Sequence, residues 1–172
     1  MAEINKIPDF EALGKEILKD AESYAAVTGL NFFKASFEDQ GFTDTHFEAW
    51  QSRKNDYQPD RAILISSSAL MNSLQILERG NLKIKFGTYS PYAGIHNSGG
   101  TITVPVTAKS RKFFWFMWYL TGIGMYKALA ITKKDAVTVH IPKRQFIGES
   151  QILMNQLDEW ILNRIVERFK QI

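Results

Sequence analysis

The sequence predicts an α+β domain, a mainly antiparallel sheet packed against N- and C-terminal helices, with an aromatic-rich insertion or arm. Three observations carry that prediction. Phe10, Leu13, Ile17, Ala21 and Ala25 recur at spacings of three and four near one end, and Leu153, Leu157, Trp160, Ile161, Ile165 and Phe169 do so at the other. Each set falls on one face of a helix. Between them lie short β-rich runs such as Leu82–Gly87, Thr101–Val106 and Ala136–Ile141. The 172 residues, 45% hydrophobic and 23% charged, fit one domain over 1–172 that buries a core without covalent staples.

Composition removes several classes. The chain has no cysteine, so disulfides, thiolate metal sites and cysteine catalysis are excluded. Its 21 basic and 18 acidic residues give a net charge of +3, too balanced to argue for nucleic acid alone. The first ten residues, MAEINKIPDF, hold no apolar core of signal-peptide length.

The elements follow in order. Pro8 and Asp9 open a helix running to about Thr28, with Glu11 favourable in the first turn and Gly29 as its stop. Phe32–Phe37 could extend a helix. Gly41–Tyr57 reads as a long loop whose aromatic residues pin it to the body. Ala62–Ser66 reads as a short buried strand, Ser66–Ser68 as a helix N-cap, and Ala69–Leu77 as a helix with Leu70, Leu74 and Leu77 on one stripe. Arg79–Asn81 is a turn. Leu82–Gly87 alternates apolar and charged residues, so Lys83 and Lys85 face solvent. Tyr92–Asn97 is a helical turn or bend ahead of Gly99 and Gly100. Thr101–Val106 is a strand at an edge or near its end, because Pro105 removes a ladder donor. Ala136–Ile141 is a strand ended by Pro142, and Ser150 caps the final helix.

Residues 107–134 read as an insertion or arm. Phe113, Phe114, Trp115, Phe116, Trp118 and Tyr119 crowd into an uncharged stretch of 14 residues, Phe113–Tyr126, behind the basic knot Lys109–Lys112. A bilayer span needs about 20 apolar residues, so this stretch falls short. Burial in a protein interface or core is the leading reading, and a membrane-surface segment is the alternative.

Catalytic patterns are missing. His46, His96 and His140 stand alone in the sequence, with no metal-ligand spacing. A metal site joining His96 and His140 would need the fold to bring them together. There is no G-x-S-x-G, no phosphate-binding loop, and Gly122-Ile123-Gly124 lacks the third glycine of a dinucleotide fingerprint. These readings point to a structural or binding protein, with no catalytic residue, metal or cofactor.

Two segments then carry a resemblance. Tyr92-Ala93-Gly94-Ile95-His96-Asn97-Ser98-Gly99 resembles the Tyr-Ala-x-Ile-His-x-x-Gly signature of the phage virion morphogenesis family, the tail-completion and neck proteins of Mu-like phages. Ile141-Pro142-Lys143-Arg144-Gln145-Phe146-Ile147-Gly148-Glu149-Ser150 resembles that family's Ile-Pro-x-Arg-x-Phe-Leu-Gly-x-Ser segment. Weaker similarities lie in the same order at Trp50, at Ile63–Leu74 and at Lys83–Gly87. Asn97 and Ser98 stand where Gln and a bulky residue are common in the family, Lys143 replaces a usual Ala, and 107–134 is longer than the usual connection. The resemblance implies a non-enzymatic role in tail completion or head–tail joining, as an oligomeric ring built in the host cytoplasm and carried in the virion. It implies contact with other neck or tail proteins, and leaves open DNA contact in a channel through Lys83, Lys85 and Lys109–Lys112. The motif residues Tyr92, Ala93, Ile95, His96, Gly99, Ile141, Pro142, Arg144, Phe146 and Gly148 would then be structural. On this reading Tyr92 and Ile95 pin the turn to the sheet, and Arg144 pairs with a carboxylate or a helix-end carbonyl.

Overall fold

The computed structural model describes residues 9–53 and 60–170, so the expected helix opening at Pro8 and the end of the expected 41–57 loop lie outside the described residues. The fold is α+β, with long helices at both ends and three small antiparallel strand pairs between them.

Helix α1 (Phe10–Glu38) is capped by Asp9, whose carboxylate accepts from the Ala12 N–H at 3.0 Å. It does not stop at Gly29. A Cβ there would sit 2.5 Å from the Phe86 ring, so the glycine is a notch that lets another element approach. The helix instead runs on through Phe32–Phe37, which places Phe33 and Phe37 in the core.

The expected loop from Gly41 contains a tight hairpin, β1 (Gly41–Thr43) with β2 (Phe47–Ala49). Phe42 and Trp50 are buried pins, whereas Phe47 stays half exposed. No strand forms over 62–66. The Ile63 N–H donates to Gln40 Oε1 at 2.5 Å and Gln40 Nε2 donates to the Ile63 carbonyl at 3.3 Å. One side-chain amide thus supplies what a neighbouring strand would have supplied, and the segment turns.

The expected helix over 69–77 is cut short. Helix α2 covers only Ala69–Asn72, and Ser68 before it makes no side-chain cap. Strand β3 (Gln75–Gly80) follows and pairs with β4 (Lys83–Gly87), opposing Ile76 to Phe86 and Gly80 to Lys83. Leu70 and Leu74 are buried as expected, but cross-strand pairing overrides the helical stripe at Leu77. The reversal falls on Asn81 and Leu82, both with positive φ (50° and 59°), the pattern of a type I′ turn. Leu82 is therefore a turn residue rather than the first residue of a strand. Lys83 and Lys85 are exposed as expected, while Ile84 and Phe86 face α1 and α6.

Helix α3 (Ala93–Ser98) leads into β5 (Gly100–Pro105), which pairs in unbroken register with β6 (Ala136–Ile141), from Gly100 opposite Ile141 to Pro105 opposite Ala136. Two helices, α4 (Ala108–Thr121) and α5 (Gly124–Ile131), occupy the connection between these strands. Helix α6 (Gln151–Lys170) starts at Ser150, whose hydroxyl accepts from the Leu153 N–H at 3.1 Å. It packs antiparallel on α1: Tyr24 stacks on Trp160 with ring centroids 4.3 Å apart, and Phe10 stacks on Phe169. Arg164 donates to Asp20 at 2.7 Å. That hydrogen bond, helped by the charges of Arg164 and Arg168, holds the Asp20 carboxyl below the usual carboxylate range despite its desolvation. The pair is partly exposed, so solvent screens its contribution to stability.

A left-handed backbone costs a leucine about 1–2 kcal/mol, part of which a glycine would return as unfolded-state entropy. Leu82→Gly is therefore expected to raise stability by about 0.5–1 kcal/mol in urea denaturation, with an unchanged m-value.

Candidate functional site

The two motif segments lie about 50 positions apart in sequence and meet face to face. Asn97 joins them. Its Oδ1 accepts from the N–H groups of Phe146 (2.9 Å) and Ile147 (3.1 Å), and its Nδ2 donates to the Ile147 carbonyl at 3.0 Å. Beside it the His96 carbonyl accepts from the Arg144 N–H at 2.8 Å. The segment after Pro142 has no strand or helix of its own, and the end of α3 satisfies its backbone instead.

Gly99 makes the approach possible. Its φ is +70°, and a Cβ would stand 2.7 Å from the Lys143 nitrogen. Ile95 closes the far side against Gly100. Tyr92 is not the buried anchor expected for it. It remains 45% exposed and meets the His96 ring edge-on, while Ala93 is the buried member of the turn.

Held this way, Phe146 is fully buried against Phe37, ring centroids 5.0 Å apart, and Phe37 meets Trp50 edge-to-face at 5.6 Å. Trp50 Nε1 donates to the Gln145 carbonyl at 2.7 Å. Arg144, also buried, donates from Nε and a terminal nitrogen to the Gln51 carbonyl at 3.3 and 3.1 Å. Its partner is thus a carbonyl that follows a strand, not the carboxylate or helix-end carbonyl expected for it. Gly148 is exposed just before α6.

An open cleft of about 270 Å³ adjoins this joint, with Arg53, Arg61, Arg144, Tyr92 and His96 among its walls. The guanidiniums brace the surrounding chain. Arg53 donates to the carbonyls of Arg61 (2.7 Å) and Ala62 (2.8 Å), and Arg61 donates to Ser66 Oγ at 3.0 Å. Burial first, then the charge of Arg144, lowers the His96 pKa, and its Nδ1 is enclosed without a hydrogen-bond partner among the described residues. His140 is exposed on β6 opposite Thr101. Among the described residues, no three His, Asp or Glu side chains gather where a metal could bind.

The aromatic segment forms a helical hairpin. Thr107 and Ser110 make a reciprocal capping box at the start of α4, and Gly122 closes it. Arg111 donates to the carbonyls of Ala130 and Thr132, tying the end of α5 to the start of α4. Met117 and Ala130 are buried between the helices. Lys127 lies 4.8 Å above the Trp118 ring, which meets Trp115 edge-on. Four of the six predicted interface residues, Phe113, Trp115, Phe116 and Tyr119, are exposed, the last at 88%. Phe114 and Trp118 instead pack partly inside the hairpin. Leu120, inside the same stretch, and Ile131, beyond it, are exposed apolar residues that were not among the six. Lys109 and Lys112 point to solvent, but Arg111 of the same basic knot is consumed internally.

Set beside known proteins, the chain matches no family model, no curated protein and no solved structure.

Two outcomes test the joint. Asn97→Ala removes three hydrogen bonds and strands two backbone donors, so it is expected to cost about 2–4 kcal/mol in urea denaturation. Asn97→Asp, which keeps the acceptor, should recover part of that loss. For His96, burial disfavours the imidazolium, so the unfolded chain takes up the proton first as pH falls. Stability held above the ordinary histidine value of 6.5 is then lost as the pH drops through the lower folded value. His96→Gln should flatten this part of the stability–pH curve.

Proposed function

We propose that the chain is a non-enzymatic assembly protein of a phage or prophage virion, acting in tail completion or head–tail joining as a member of a ring. The observation that carries the reading is the joint itself. The two segments that resemble the virion morphogenesis motifs are the two that build it, and their side chains serve the fold: Phe146 fills the core, Arg144 braces the Gln51 carbonyl and Gly99 permits the approach. Such a joint constrains sequence without any reaction to perform. The working surface is then the α4–α5 arm, which displays aromatic side chains on a self-contained hairpin.

A second reading makes the arm a membrane-surface anchor. Its support is composition: residues 107–134 hold six cationic side chains and no acidic one, with Trp, Tyr and Phe exposed among them. No helix among the described residues is long and apolar enough to cross a membrane.

Pro105 and Ala136 are cross-strand partners, so an Asn-Gly turn can replace residues 106–135 without disturbing the strands. In a phage or prophage carrying this variant gene, tails are expected to remain unfinished by electron microscopy, while the purified variant loses only the helical signal of α4 and α5 and keeps a cooperative unfolding transition. Normal particles containing the shortened chain would refute the role given to the arm. Absence of the full-length chain from purified particles would refute the virion reading.

A further inference from the structure

We infer that the α4–α5 arm of one copy docks, head to tail, into the groove that α1, the β3–β4 hairpin and α6 form on a second copy. This rests on the reading of the arm as an assembly surface and adds the surface that receives it. The groove has a cavity of about 800 Å³ floored by Phe33, Phe86, Leu153 and Leu157. A shallower hollow of about 230 Å³ continues it along α1 past Leu18 and Ile161, and the two share Ala25, Leu82 and Ile84. No arm residue is among those lining either part.

Charge identifies the occupant. The charged residues lining the groove are Asp44, Glu149 and Glu22, with no lysine or arginine; Glu22 is already paired with Arg79 at 3.0 Å, which leaves Asp44 and Glu149 to meet a cation. The arm takes six of the 21 basic residues and none of the 18 acidic ones, which leaves the rest of the chain with 15 basic against 18 acidic. A cationic aromatic knob thus faces an apolar slot with acidic residues in its lining on the same polypeptide. Lys109 and Lys112 lie on the exposed side of α4, one turn before Phe113 and Phe116, where they can reach such carboxylates.

Leu82 adds a second observation. It is held in a left-handed conformation that leucine resists, and it is 62% exposed at the point where the two hollows meet. The hairpin turn accounts for that backbone, and what it holds out is a large apolar side chain open to a partner. Arm and groove are different surfaces, so each docked pair leaves one arm and one groove free. Such heterologous contacts close into a ring when the rotation allows.

The test uses two full-length variants altered only at exposed positions. Trp115→Asp with Phe116→Asp disables the arm, and Leu82→Lys with Met154→Lys disables the groove. In sedimentation analysis the wild type should form an assembly larger than a dimer, and each variant alone should be monomeric. An equimolar mixture should give a 1:1 dimer and nothing larger, because only one competent arm–groove pair remains. The inference falls if either variant assembles like the wild type, if the mixture stays monomeric, or if the wild type is monomeric up to millimolar concentration. A monomeric wild type that binds phosphatidylglycerol vesicles through Trp115 and Phe116 would assign the arm to a lipid surface instead. Particle content separates this inference from the reading beneath it. A chain present in purified virions whose variants fail to pair sinks the docking alone. A 1:1 dimer from a chain absent from virions sinks the virion role alone.

Discussion

The Asn97 amide, near the end of α3, holds in place the segment after Pro142, which has no regular structure to hold itself. One oxygen accepts from two successive backbone N–H groups, and the nitrogen returns a bond to the second residue's carbonyl. Such bonds contribute about 1 kcal/mol each in net terms, but leaving the backbone groups unpaired would cost more. What they position matters beyond that sum. Phe146 is delivered into the box of Phe37 and Trp50, and Trp50 donates back to the carbonyl just before Phe146. Helix α1, the β1–β2 hairpin, α3 and the start of α6 all converge there, so the central core depends on this crossing.

The arm is built on another principle. Its helices bury Met117 and Ala130 against each other, and Arg111 satisfies the carbonyls at the end of α5. Its base is the β5–β6 pair, whose register runs unbroken to Pro105 and Ala136. That arrangement holds the arm's shape without recourse to the central core, and leaves its largest side chains facing outward. The arm's charge is wholly cationic, whereas the rest of the chain has an acidic excess.

Much of the fold was readable in the chain because local chemistry agreed with the final structure. Ser150 caps the helix it was expected to cap, Asp9 stands at the opening expected for α1, Lys83 and Lys85 face solvent, and Pro142 follows the end of β6. The misreadings share one cause. Gly29 looked like a helix stop, but its meaning was a notch for Phe86, a residue 57 positions away. Ile63 looked like part of a strand until the Gln40 side chain took both of its backbone bonds. Leu77 fitted a helical stripe until β3 paired with β4. Asn97 stood out only as a departure from the family pattern, and no local signal announced it as the link between the two motifs. The joint was legible as two segments worth noticing, and its wiring was not.

The sequence by itself determined the α+β class, the helices at both ends, the exposed alternation of β4 and the separateness of the aromatic segment. Those properties follow from periodicity, capping and composition, which act over a few residues. Tertiary structure decided that the strands divide into three pairs, that Tyr92 stays at the surface while Ala93 is buried, and that Phe114 and Trp118 turn inward on the arm. It also placed Asp44, Glu149 and Glu22 around one apolar groove. Each of these depends on which distant backbone or ring arrives alongside, and a contact between residues far apart leaves no period in the chain to read.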